Sequence, residues 1–249
     1  MKYIKSIGIE LEGGFYGAKD GDNFRDEVAK REWYSRFQWG YDSSVNLGNH
    51  FFYNEVELRF WSYNVNEILE FVKLAFDYNF KQNHTCGNHI HIRTKRKDYY
   101  DLMSNKEFLN AFILEYKKKF KHKKKFLERL YNSYCSIENL SERVKNQIKK
   151  LTSYRYTAIN FLSLKEKQKT LEFRIMPYAD NFEEYKEMFL WLIETIEMLI
   201  EEFLMGKRVI EKQLNIIDKN SLNSVEKVLN KINNREVEFR ILTDKILKV

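Results

Sequence analysis

One proline and nine glycines are all the backbone punctuation that the 249 residues contain. A chain so poor in breakers has no linker of the Pro/Gly/Ser type, and neither an internal repeat nor a sharp domain boundary stands out. The two cysteines, Cys86 and Cys135, belong to no CxxC pair. They exclude a disulfide framework and a zinc held by cysteines alone, and Cys86 reads as a small buried apolar residue, not a nucleophile. No apolar run approaches the roughly 20 residues that span a bilayer. The N-terminal "MKYIKSIGIELEGG" is interrupted by Lys5, Ser6, Glu10 and Glu12, so it lacks the apolar centre of a secretory signal and a small-residue cleavage site. The expected location is the cytoplasm, with no membrane association.

What the chain does have is 43% hydrophobic residues, 16% of all residues being aromatic, which is the composition of a folded domain with a sizeable core. Its net charge of +7 favours an anionic partner. Strand signals lie in "KYIKSIGIELEGG", in "WYSRFQWGYDSSVN" up to the turn Asp42, Ser43 and Ser44, in "NEVELRFWS", in "CGNHIHIRT", in "YRYTAINFLSL" and in "KTLEFRIMP", the last stopped by Pro177. Helical spacing of Ile68, Leu69, Val72 and Phe76 predicts a helix capped at Asn64 or Asn66. The stretch from about 98 to 151 reads as helical, and "FEEYKEMFLWLIETIEMLIEEFLMG" as a long amphipathic helix closed by Gly206. Helix and a short β-prone end, "EVEFRIL", follow. This order lacks the alternation of a doubly wound fold. It predicts an α+β fold with a mostly antiparallel sheet, one polar face and helices packed on the other, in a domain over 1–205 with a helical insertion at 98–151 and a helical extension over 206–249.

The strands interrupt their apolar positions in a regular way. Side chains alternate between faces along a strand, so Glu10 and Glu12 share a face opposite Ile9 and Leu11, and Glu55, Glu57 and Arg59 share one opposite Val56, Leu58 and Phe60. His89, His91 and Arg93 oppose Ile90 and Ile92; Glu172 and Arg174 oppose Leu171, Phe173 and Ile175. One sheet built from these strands collects acids, imidazoles and guanidinia on a single face. Carboxylates packed that closely repel one another until cations neutralise them, and an oxygen-rich set with some imidazole suits Mg²⁺ or Mn²⁺ better than zinc or copper. The bland alternative is a solvated face laced with Glu–Arg pairs.

"GIELEGGF", "WGYDSSVN" with "NEVELRF", "CGNHIHI", "RYTAIN" and "TLEFRIMP", in that order, resemble the amidoligase family of carboxylate–amine ligases, which share the glutamine synthetase-like fold; the likeness runs roughly from residue 3 to 200. The resemblance implies ATP-dependent amide-bond formation through an acyl phosphate, with carboxylate and amine substrates such as an amino acid, a peptide or a cell-wall precursor. It implies metal ligands at Glu10, Glu12, Glu55, Glu57, His89 and Glu172, and nucleotide contacts at Arg59, Arg155, Arg174 and Asn160. It further implies that Arg174 and Arg155 neutralise the transferring phosphate, that His91 has a substrate or phosphate role, and that Asp42 orients the amine or takes its proton. "YGAKDGDNFRDEVAKRE" is expected to be a loop that helps to recognise substrate.

"EYKKKFKHKKKFLERLY" has either a basic face for an anionic partner, with Tyr116, Tyr131 and Tyr134 as the aromatic candidates, or a solvated face with Phe120, Phe126, Leu127 and Leu130 turned inward. Two rival functions stand beside the ligase: a metal-dependent hydrolase using His89, His91 and the acids, and a non-catalytic basic binding module.

Overall fold

A computed structural model of the chain describes residues 1–48, 51, 53–165 and 169–217. His50, the β-prone "EVEFRIL" and the expected extension beyond 217 lie outside the described residues. The elements run β1 (Ile4–Phe15), α1 (Ala18–Lys30), β2 (Phe37–Tyr41), β3 (Tyr53–Ser62), α2 (Val65–Asp77), β4 (Phe80–Lys81), β5 (Gly87–Thr94), α3 (Asp98–Met103), α4 (Lys106–Lys119), α5 (Lys124–Arg129), α6 (Leu140–Ile148), β6 (Ile159–Asn160), β7 (Leu171–Pro177) and α7 (Phe182–Ile217).

The strands form one sheet in the order β2-β3-β1-β5-β7-β6, with β4 paired to the end of β1, and each of these pairs is antiparallel. The fold is therefore α+β, as the strand and helix order predicts. Ile9 of β1 stands between Phe60 and Ile90, and Ile90 faces Phe173, so the apolar positions form a continuous layer. Helices cover that layer. Phe71 of α2 stacks on Phe60 at 4.4 Å, and Phe112 of α4 sits 5.3 Å from Phe173 and 5.8 Å from Trp191 of α7. Each aromatic ring buried this way contributes about 1.5–3 kcal/mol.

Local chemistry explains the boundaries. Asn64 caps α2, its side chain accepting the Asn66 N–H at 2.9 Å. Glu197 of α7 accepts the N–H groups of Lys2, Tyr3 and Ile4 at 2.7–2.9 Å and so fixes the start of β1 to that helix. Met1–Ile200 forms one compact unit, and α7 runs past it to Ile217. The expected stop at Gly206 is not observed, since one glycine costs a helix only about 1 kcal/mol. The expected boundary at 205/206 therefore falls inside a helix. None of the described helices is long and apolar enough to cross a membrane.

Two further expectations need correction. The segment "YGAKDGDNFRDEVAKRE" contains helix α1: Gly21, Phe24 and Val28 form its buried stripe, and Asp20 folds back to accept the Gly17 N–H at 3.1 Å. Gly21 is required there because a Cβ would strike the Tyr53 ring. The "YRYTAINFLSL" strand shrinks to Ile159–Asn160, because side chains take over its backbone groups. Thr157 donates to the Ile159 carbonyl, Asn160 accepts the Leu162 N–H and Gln147 accepts the Phe161 N–H.

Candidate metal centre

The face of the sheet opposite the helices carries the charged side chains. Across the strands, Glu10 stands opposite Arg59 on one side and His89 on the other, Glu12 opposite Glu57, and His91 opposite Glu172, which in turn pairs with Asn160. Neighbouring strands lie only about 4.8 Å apart, so residues distant in the chain become neighbours.

Glu10 is the hub. Its Oε2 lies 3.0 Å from His89 Nδ1, its Oε1 3.2 Å from His91 Nε2 and 3.7 Å from Arg59 Nε. His89 also approaches Glu172 at 3.7 Å and, through Nε2, Glu12 at 3.4 Å. Two sets of ligand atoms result, Glu10 with Glu57 and His89, and Glu10 with His91 and Glu172, each lying within 4.8 Å of one another. Around them, Asn160 donates to Glu172 at 2.6 Å and Ser163 at 3.2 Å, Arg174 pairs with the same carboxylate, and Arg59 pairs with Glu57. Thr170 holds His91 Nδ1 at 3.1 Å, and the Gly87 N–H donates to Glu12.

These side chains are mostly buried: Glu57 is 5% exposed, Glu172 4% and His89 4%. Burial, and then the Glu10 charge, push the Glu57 carboxyl up to about 7. Glu10 goes the other way. Burial opposes its charge, but hydrogen bonds from His89 and His91 hold it well below the usual range. Glu172 is lowered against burial by His89, Arg174 and His91. Acids and imidazoles packed this closely form groups that could hold a metal ion.

The expected residues Glu10, Glu12, Glu57, Arg59, His89, His91, Asn160, Glu172 and Arg174 are thus gathered on one face. Glu55 is not among them. A register shift in the β1–β3 pairing and a backbone φ of 63° at Glu55 break the alternation of β3, and the carboxylate bonds the Tyr41 hydroxyl instead. Asp42 sits in the turn after β2, where it accepts the Ser44 N–H at 2.8 Å. Its charge reaches Arg59, which titrates above its usual range against burial because Glu57, Glu10 and Asp42 face it. Arg155 is exposed, 5.5 Å over the Tyr156 ring. Its charge reaches the centre from the rim: burial opposes its upward shift, while Tyr156, Glu172 and Glu10 drive it. Cys86 is buried and its thiol is pushed up to about 11, mainly by burial, which suits a packing residue.

Sequence reading missed Ser163 and Thr170. Both lie inside the strand-prone stretches, Thr170 on the face of Glu172 and Arg174, but a small hydroxyl carries no charge that marks it as part of the centre. For the lysine-rich segment the sequence leaves a basic binding face and a solvated face open. Lys123 and Lys119 pair with Glu187, and Lys125 with Asp180 and Glu184, while Tyr116 is fully buried. Phe120, Phe126 and Leu130 turn inward and Leu127 is half-buried, while Tyr131 and Tyr134 are exposed. No protein-family model, curated protein or solved structure matches this chain.

Proposed function

We propose that the chain is an ATP- and divalent-metal-dependent carboxylate–amine ligase of the amidoligase kind, on a glutamine synthetase-like catalytic domain. The observation that carries this reading is the pair of acid–imidazole sets sharing Glu10, flanked on the same face by Arg59 and Arg174 and at the rim by Arg155. Bound Mg²⁺ or Mn²⁺ would supply charge neutralisation for a triphosphate. Glu10, Glu12, Glu57, His89 and Glu172 would hold it. His91, fixed by Thr170, would add a ligand atom beside Glu10 and Glu172, and Arg174, fixed against Glu172, would orient phosphate oxygens. Transfer of the γ-phosphoryl group to a substrate carboxylate gives an acyl phosphate and ADP; an amine then displaces phosphate and loses a proton. Asp42 is the nearby acid for that proton, although its turn places it at the edge.

A metal-dependent hydrolase would use the same acids and imidazoles to activate water without a nucleotide, so dependence on ATP separates the two readings. A basic binding module is less well supported, because Lys119, Lys123 and Lys125 are engaged with acids of the chain itself. The test is phosphate release from ATP with Mg²⁺ or Mn²⁺ across a panel of amino acids, peptides and cell-wall precursors. Release that depends on both a carboxylate and an amine, with ADP and an amide formed in equal amounts, is expected. Absence of nucleotide binding with and without metal would overturn the reading.

A further inference from the structure

Arg129 ends α5, inside the lysine-rich segment, yet it is only 7% exposed. Its Nε donates to the Arg174 carbonyl oxygen at 3.3 Å. This contact carries the side chain across the edge of β7, next to the stretch that the two-residue β6 leaves uncovered. Beyond that bond and a hydrogen-bond contact with the Cys135 thiol, the guanidinium forms no ion pair with a carboxylate among the described residues. An arginine withdrawn from water with no carboxylate beside it is costly, so its terminal nitrogens call for an anion.

They are aimed at the metal centre. Gly87, which opens β5 and donates its N–H to Glu12, has no Cβ; one built there would overlap Arg129 Nη2 and stand 3.3 Å from His89 Nε2. The guanidinium and the His89 imidazole are therefore neighbours above Gly87. The other buried arginine of the face, Arg174, is already paired with Glu172, and Arg59 with Glu57. Lys119, Lys123 and Lys125, close to Arg129 in sequence, pair away from the centre with acids preceding or on α7.

We infer that Arg129 is a further anion receptor of the centre: its terminal nitrogens take two oxygens of a phosphoryl or carboxylate group of the ligand, beside His89. The planar fork of arginine matches either group. The inference rests on the metal-centre reading above, and it gives the lysine-rich insertion a specific role, that of delivering one cation across the sheet edge.

Calorimetric titration of the full chain with pyrophosphate and with glutarate, with and without Mn²⁺, tests it. The chain is expected to bind one of the two probes, and which one identifies the source of the oxygens. Arg129→Gln should weaken that probe at least about tenfold, as the loss of a charged two-point contact implies, and Arg129→Lys should recover part of the loss, with Mn²⁺ affinity unchanged in both. If Arg129→Gln does not fold, the Arg129 Nε–H resonance of the unaltered chain serves instead and should shift as the probe binds. Equal affinity in Arg129→Gln, an unmoved resonance, or binding of neither probe overturns the inference. A chain that binds a probe through Arg129 but takes up no Mn²⁺ keeps the anion site and removes the ligase reading. Mn²⁺ uptake with probe binding indifferent to Arg129 does the reverse.

Discussion

Glu10 couples the two halves of the centre, since one carboxylate oxygen meets His89 and the other His91. The orientation of His91 is set from behind by the Thr170 hydroxyl. Thr170→Val keeps the shape and removes that partner, so Mn²⁺ affinity should fall about 10–100-fold while stability drops by about 1 kcal/mol; an unchanged Mn²⁺ titration would show that Thr170 does not orient the ring. A different residue controls acid stability. Glu67, bonded bidentately by Arg36 and accepting from Ser62, has its carboxyl lowered to about 2 by those two partners. A lowered folded-state value stabilises the fold above the unfolded range near 4.5, and that contribution disappears as pH falls toward 2. Glu67→Gln should therefore cost about 1 kcal/mol at pH 6, as expected for a well-formed but partly exposed pair. In urea unfolding, the gap between the two proteins should close between pH 4.5 and 2. A gap that persists at pH 2 would contradict this. At this scale the alternation of apolar and charged residues made Glu10, Glu57, His89 and Glu172 readable. Thr170 continues the same alternation two places before Glu172, but an uncharged hydroxyl does not stand out on a strand face.

Among the elements, the lysine-rich helices are bound to the body of the protein by charge as well as by Phe120, Phe126 and Leu130. Lys125 is the best enclosed of these cations, with Asp180 at 2.7 Å, Glu184 at 2.5 Å and the Tyr178 ring beneath it. Lys125→Met should lower stability by about 1.5–3 kcal/mol, more than Lys118→Met, whose partner Glu115 lies at 3.6 Å with both side chains exposed or nearly so. Equal effects in denaturant would place the attachment elsewhere. Strand existence was legible from period two, and α2 from its apolar spacing and its cap. Helix α1 was not, because its buried stripe is only Gly21, Phe24 and Val28, and the glycine reads as a breaker until Tyr53 is known to lie against it. Nor was the bulge at Glu55. Period two predicts a second acid beside Glu57 on the face it shares with Arg59, and only the pairing with β1 shows that the chain slips there. The short β6 was hidden because side-chain capping by Thr157, Asn160 and Gln147 leaves strand-like residue types in place.

At the scale of the whole described fold, one sheet separates an apolar face from a charged one. Helices α2, α4 and α7 bury the apolar face, which lets the opposite face hold charge that would otherwise be expelled. Alternation within each strand reveals which side chains share a face, but strand order comes from pairing, and it is the order β3-β1-β5-β7 that brings Glu57, Glu10, His89 and Glu172 together. Anomalous diffraction from crystals soaked in Mn²⁺ tests this arrangement most directly. Manganese is expected at the Glu10 carboxylate, in contact with Glu57 and His89 or with His91 and Glu172, at metal–oxygen distances of about 2.0–2.3 Å. Manganese confined to surface acids, with no peak along the β3-β1-β5-β7 face, would contradict it.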